Sequence, residues 1–164
     1  MNIQLLRDFT PKKDFRKYIS IEGNIGSGKS TALTGLEEEI NTFIFKEPIA
    51  CWGNWLAKYY ENPQSSCLGF QLKILICFYE MIMKNYLNGK DIVSERCPES
   101  SRLIFAQMAF EDGIMNGDEF ILYKQYCQLL QYTPTCYIYI QTPVGTKYMY
   151  WLLDLWETDK VYKQ

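Results

Sequence analysis

Eight consecutive residues, Gly23-Asn24-Ile25-Gly26-Ser27-Gly28-Lys29-Ser30, satisfy the pattern G-x-x-x-x-G-K-[ST] at every fixed position, and nothing else in the chain constrains its fold as much. A turn that aims successive backbone N–H groups at one point visits conformations that a Cβ obstructs, and three of these eight residues are glycine. Such a loop cradles the phosphates of a nucleotide. Lys29 then reaches the β/γ oxygens, and the Ser30 hydroxyl joins the shell of a Mg²⁺ ion. The flanks agree. Tyr18-Ile19-Ser20-Ile21 has strand character, and the segment from Thr31 to Ile40 carries Leu33, Leu36 and Ile40 at helical spacing. A strand, a glycine loop and a helix in succession place the positive end of the helix dipole under an anion. The candidate ATP-binding stretch is Gly23, Asn24, Ile25, Gly26, Ser27, Gly28, Lys29, Ser30 and Thr31. The bland alternative, a glycine-rich surface turn, does not account for both flanks.

The remaining composition narrows the chemistry. At 164 residues the chain is one domain by length, and 48% apolar residues exclude a disordered protein. A net charge of −2 without a Lys/Arg run argues against binding a nucleic-acid polymer. Histidine is absent, which rules out Ser-His-Asp and Cys-His systems and leaves carboxylates, Lys, Tyr or Cys for proton transfer. The six cysteines have no C-x-x-C spacing and follow no secretory signal, so they read as reduced thiols in a cytoplasmic compartment. Residues 1–17 carry Arg7, Lys12, Lys13, Arg16 and Lys17 beside Asp8 and Asp14, which leaves a mitochondrial transit peptide open. The most apolar stretch, Leu68 to Leu87, contains Gln71, Lys73, Glu80 and Lys84 and reads as a buried helix, not a membrane span.

No repeat or linker divides the chain. Strands are expected at Thr42-Phe43-Ile44-Phe45, Asp91-Ile92-Val93-Ser94 and Thr135 to Ile140. Helices are expected at Trp52 to Tyr60, Phe70 to Leu87, Ser101 to Phe110 and Asp118 to Gln131, with a turn over Glu61 to Ser66. Strands alternating with helices imply an α/β fold, a parallel sheet of four strands between helical layers, whose ligands sit at the carboxyl ends of the strands. Those ends carry the glycine loop, Glu47 and Glu95-Arg96. A carboxylate beside a phosphate cradle is suited to accept a proton from a substrate hydroxyl, although an isolated Glu-Pro equally reads as a solvated strand exit. Glu95-Arg96 alone reads as a surface ion pair.

Taken together, these residues resemble the deoxynucleoside kinase family over about Tyr18 to Thr142. Ile19-Ser20-Ile21-Glu22-Gly23-Asn24-Ile25 is similar to the family's opening strand, and Glu47-Pro48-Ile49 with Trp52 to its Glu-Pro-Val-x-x-Trp motif. Tyr60 stands eleven residues before Gln71, Glu95-Arg96-Cys97 resembles Glu-Arg-Ser, and Ser101, Arg102 and Phe105 continue that motif. Met115-Asn116 ahead of Glu119-Phe120 is similar to the start of the next helix.

The resemblance implies a three-layer kinase that moves the γ-phosphate of ATP to the 5′-hydroxyl of a deoxynucleoside with Mg²⁺. It makes Glu47 the base, with Lys29 on the donor phosphates and Arg96 on the reacting oxygens. Ser30 and Glu95 would serve the metal. Trp52, Tyr60, Phe70, Gln71, Phe78, Ser101 and Phe105 would join Glu47 and Arg96 in holding the acceptor. A homodimer packed through Phe70 to Leu87 is also implied.

Two departures qualify this. Where members that favour deoxycytidine carry an Arg and an Asp, this chain has Phe78 and Ser101. That points to a pyrimidine deoxynucleoside, thymidine first. Beyond Arg102 there is no arginine, whereas the family has an arginine-rich lid and a fifth strand there, so the chain looks truncated after its fourth strand. The segment 143–164 is atypical, with Trp151, Leu152, Leu155 and Trp156 on one helical face. Lid arginines are worth about 10³–10⁵ in rate, which leaves open a catalytically impaired nucleotide- or nucleoside-binding protein. A nucleoside monophosphate kinase is a third reading, disfavoured because Glu47 would repel a substrate phosphate.

Overall fold

The computed structural model describes residues 17–40, 42–130 and 132–141, and the expectations for the N-terminal and C-terminal segments lie outside them. Four parallel strands, β1 (Tyr18–Gly23), β2 (Phe43–Phe45), β3 (Ile92–Glu95) and β4 (Cys136–Ile140), form one sheet in the order β2-β3-β1-β4. The register sets Ile21 beside Glu95 and Ile138, and Phe45 beside Ser94. Parallel strands buried on both faces are rich in β-branched and aromatic residues, and β3 is buried along its whole length.

Side chains alternate between two helical layers. On one face, Ile21 and Val93 pack with Leu33 of α1 (Lys29–Glu39), joined by Ile19, Leu36, Ile44 and Ile140. On the other face, Tyr18 and Ile92 meet Phe70, Ile74, Cys77, Phe78, Met81 and Ile82 of α4 (Pro63–Leu87). The opposite side of α4 contributes Cys67 and Leu75 to a second core. There it meets Ala106, Ala109 of α6 (Gln107–Glu111), Met115, and Phe120 and Tyr123 of α7 (Gly117–Leu129). This explains why the sequence there is apolar enough to match a membrane span in length and composition. It also means that much of the helix expected to supply a dimer contact packs within the chain itself.

Three boundaries differ from the expected ones. The helix expected over Trp52 to Tyr60 is two, α2 (Ile49–Trp52) and α3 (Asn54–Glu61), separated by Gly53 at φ 55°. The turn expected over Glu61 to Ser66 shrinks to Asn62. Pro63 takes the first helical position, where its missing N–H costs nothing, and the Asn62 side chain accepts from the Ser65 backbone N–H at 3.3 Å. Finally, the helix expected from Ser101 begins earlier, as α5 (Pro98–Ser100), and then widens into π-helical turns over Ser101–Ala106 before α6.

Candidate active site

At the end of β1 the chain turns through the glycine loop and enters α1 at Lys29, with Gly28 in the left-handed region at φ 87° as the helix cap. The Ser27 N–H donates to Asn24 O at 3.1 Å and closes the turn. Lys29 is buried and folds back over the loop, its Nζ donating to the carbonyls of Gly23 at 3.1 Å and Asn24 at 2.7 Å. Burial pushes its pKa down and Arg96 adds to that, while Glu95, Glu47 and Glu22 act in the opposite sense. Ile25, at the tip, is 86% exposed. Ser30 and Thr31 lie in the first turn of α1.

The strand exits converge on this loop. Ser30 Oγ donates toward both carboxylate oxygens of Glu95 at 3.0 Å, joining the start of α1 to the end of β3. The Glu47 N–H donates to Glu95 Oε2 at 3.4 Å, which brings in the exit of β2. Next to Glu95, Arg96 sits in the left-handed region at φ 63°, an uncommon place for a residue with a long side chain. Its N–H donates to Ile21 O at 3.0 Å and its carbonyl accepts from Ser94 Oγ at 2.6 Å, so the neighbouring β1 and the end of its own strand β3 hold it there. Its guanidinium lies 4.9 Å over the Phe105 ring, with Nε 3.8 Å from Glu47 Oε1 and Nη1 3.9 Å from Glu22 Oε2. Burial raises the Glu47 pKa, Arg96 opposes the rise, and Glu95 adds to it. The Glu47 side chain remains 31% exposed, so a bound hydroxyl can reach it.

The residues expected around a nucleoside fall into two groups. Trp52, Phe70, Gln71, Phe78 and Ser101 are buried. The Trp52 and Phe70 rings meet edge to face at 5.4 Å, Tyr59 stacks on Phe70 at 5.2 Å, and Phe45 meets Phe78 at 5.5 Å. Cys97, next to Arg96, belongs to the same cluster as Trp52, Phe70 and Phe78 and links this enclosure to the carboxylates. Gln71 Oε1 and Trp52 Nε1 are buried without a hydrogen-bond partner among the described residues. An unsatisfied buried polar atom costs about 1–3 kcal/mol, so each of the two is suited to gain its partner from a polar ligand. Tyr60 differs. It is 76% exposed with its ring tilted against Tyr59 at 6.2 Å, and the structure leaves it outside the enclosure.

Sequence reasoning assigned no role to Glu22, which the structure brings into ion-pair range of Arg96. The available signal was an acid in an otherwise apolar strand directly before the glycine loop. As for a metal, the Ser30 hydroxyl and Glu95 carboxylate fit Mg²⁺, which takes one or two protein oxygens and completes its octahedron with phosphates and water.

The deoxynucleoside kinase family model matches residues 19–149. Protein 029R of Invertebrate iridescent virus 3, named as a kinase, is 35% identical over 124 residues, 75% of this chain and 62% of its own length. Human deoxycytidine kinase is 30% identical over 138 residues, covering 67% of this chain and 53% of its own. Deoxycytidine kinase 2 of Gallus gallus is 30% identical over 146 residues, 73% of this chain and 55% of its own. The chain thus spans between half and two thirds of these relatives. Since that match covers most of the chain, including the glycine loop and the acids at the strand exits, the chain belongs to the deoxynucleoside kinase family.

Proposed function

We propose that this protein transfers the γ-phosphate of ATP to the 5′-hydroxyl of a pyrimidine deoxynucleoside, thymidine first. The observation that carries this reading is the convergence of Glu47, Arg96 and the Ser30–Glu95 pair on the glycine loop. The loop amides and Lys29 hold the triphosphate of the donor, and Lys29 leaves its two carbonyl partners to do so. Ser30 and Glu95 would hold a Mg²⁺ ion, which would supply charge neutralisation on the donor phosphates. Glu47 takes the proton of the 5′-hydroxyl as that oxygen bonds to the γ-phosphorus, the bond from the bridging oxygen to that phosphorus breaks, and ADP departs. Arg96 lies beside Glu47 and steadies the oxygens between which the phosphoryl group passes. Such transfers need positioning and charge compensation more than covalent help.

The base preference rests on the enclosure. Gln71 both donates and accepts, which suits a pyrimidine edge, and its Oε1 has no hydrogen-bond partner among the described residues. Phe78 and Ser101 offer no charged pair to the base, and the bulk of Phe78 against Phe45 leaves less room for a purine. Incubation with labelled ATP and a panel of thymidine, deoxycytidine, deoxyguanosine and thymidine monophosphate tests the reading. Label is expected in thymidine above the others, and Glu47→Gln is expected to lower the rate by about 10²–10⁴. No transfer to any nucleoside, or full activity of Glu47→Gln, would overturn it. Equal turnover of deoxyguanosine would remove the base preference alone.

A further inference from the structure

We propose that Glu22 is a positioning residue for Arg96, holding one edge of its guanidinium so that the Glu47 carboxylate stays free to accept a proton. The inference rests on the kinase reading for its purpose, though not for its geometry. Glu22 is the last side chain of β1 before the loop glycine, on the face that also carries Tyr18 and Ser20. Its carboxylate is nearly enclosed, with 13% of the side chain exposed. The Ser20 hydroxyl donates to Glu22 Oε1 at 2.7 Å, which leaves Oε2 facing Arg96 Nη1 at 3.9 Å. Burial raises the Glu22 pKa, and Ser20 and then Arg96 oppose the rise, with Ser100 and Cys97 adding to their effect.

The consequence lies in what Arg96 does not do. An arginine beside a single carboxylate draws into a bidentate pair at about 2.7–2.9 Å. Such a pair with Glu47 would occupy the lone pairs that a proton acceptor needs and would stabilise its charged form. Here, instead, the guanidinium lies on the Phe105 ring between two acids that approach different edges. Nε is 3.8 Å from Glu47, Nη1 is 3.9 Å from Glu22, and Nε is buried without a hydrogen bond among the described residues. Neither acid captures it. Arg96 therefore keeps its Nε–H for the reacting oxygens, and Glu22 supplies the counter-charge that Glu47 would otherwise supply. Because Glu22 acts through Arg96, it is no catalytic residue itself.

Four arginines make the test direct, since the ¹⁵N spectrum then holds only four side-chain Nε–H signals. Arg96→Lys identifies the one in question by its loss. In Glu22→Gln, the Arg96 signal is expected to move downfield as Nε–H takes up Glu47, while in Glu22→Asp, which keeps the charge, it should stay nearer its original position. Kinetically, Glu22→Gln is expected to lower kcat about tenfold to a hundredfold with little change in the nucleoside KM, and Glu22→Asp to recover part of that loss. If Glu22→Gln does not fold, Ser20→Ala loosens the same carboxylate and should move the signal in the same direction by less. A stationary Arg96 signal in the folded variants, or an Asp variant that moves it as far as Gln does, overturns the proposal. An inactive wild-type chain would instead count against the kinase reading, and the signal would still decide the role of Glu22.

Discussion

A β-carbon on residue 23 would stand 2.6 Å from the carbonyl oxygen of Ile140 and 2.7 Å from Ser27 Oγ, on backbone at φ 148°. The nearer atom belongs to the neighbouring strand, so relief requires β4 or the loop to shift. Gly23→Ala is therefore expected to cost about 1–3 kcal/mol in urea unfolding and to weaken ATP binding measured by calorimetry. Unchanged affinity would show that the loop does not depend on this close approach. Such requirements are legible because only glycine meets them, which is why the octapeptide could be read at once. Arg96 was legible as a cation and not as a left-handed residue, since that conformation is marked in sequence by Gly or Asn and here is imposed by Ile21 O and Ser94 Oγ. Glu22 was passed over because one acid in a strand ordinarily faces water. Nothing in its immediate neighbours announces that its face of β1 is covered by α4.

Between α3 and α4 a single glycine sets the contact. A Cβ on Gly69 would lie 2.3 Å from Cζ3 and 2.6 Å from Cη2 of Trp55, so the indole rests directly on the α4 backbone. Gly69→Ala is expected to destabilise by about 1–3 kcal/mol through overpacking. In a Trp55→Ala background the same change should instead stabilise, by up to about 1 kcal/mol, because alanine is the better helix former and the obstruction is gone. A thermal-denaturation double-mutant cycle reads this change of sign, and additive effects would show that the two residues do not share the contact. The strands were visible as short β-branched and aromatic runs bounded by Pro, Gly and Asp, and all four appear close to their expected bounds. Helix starts were harder. Asn62 and Pro63 looked like a turn when they are the cap and first residue of α4, and the π-helical turns over Ser101–Ala106 leave no mark in composition. That wide segment carries Phe105 under the Arg96 guanidinium, in keeping with the tendency of π-turns to occur where function needs a side chain re-aimed.

In the molecule as a whole, α4 separates two cores, and each encloses an ionisable thiol that water cannot reach. Cys97 lies in the core between α4 and the sheet, where burial pushes its pKa up to about 12. Cys67 lies in the core shared with α7, where burial pushes it up to about 11. All six cysteines are free, and Cys51 and Cys136 are the exposed ones. An unfolded thiol ionises near its ordinary value of about 8.5, whereas these two stay protonated in the native state. Above that pH the unfolded chain binds fewer protons than the folded one, so stability falls as pH rises, and it is fully present below. The decline should approach about 1.4 kcal/mol per pH unit for each thiol between the unfolded value and the folded one. Tyr18 and Tyr123, also raised by burial, steepen it at higher pH. Urea unfolding at successive pH values from neutral to about 10.5 measures the slope, and Cys67→Ala should flatten it by one thiol's share even if it lowers stability throughout. A slope unaltered by that substitution would mean that the thiol is accessible to solvent in the native state and that the core around α7 is looser than its packing indicates.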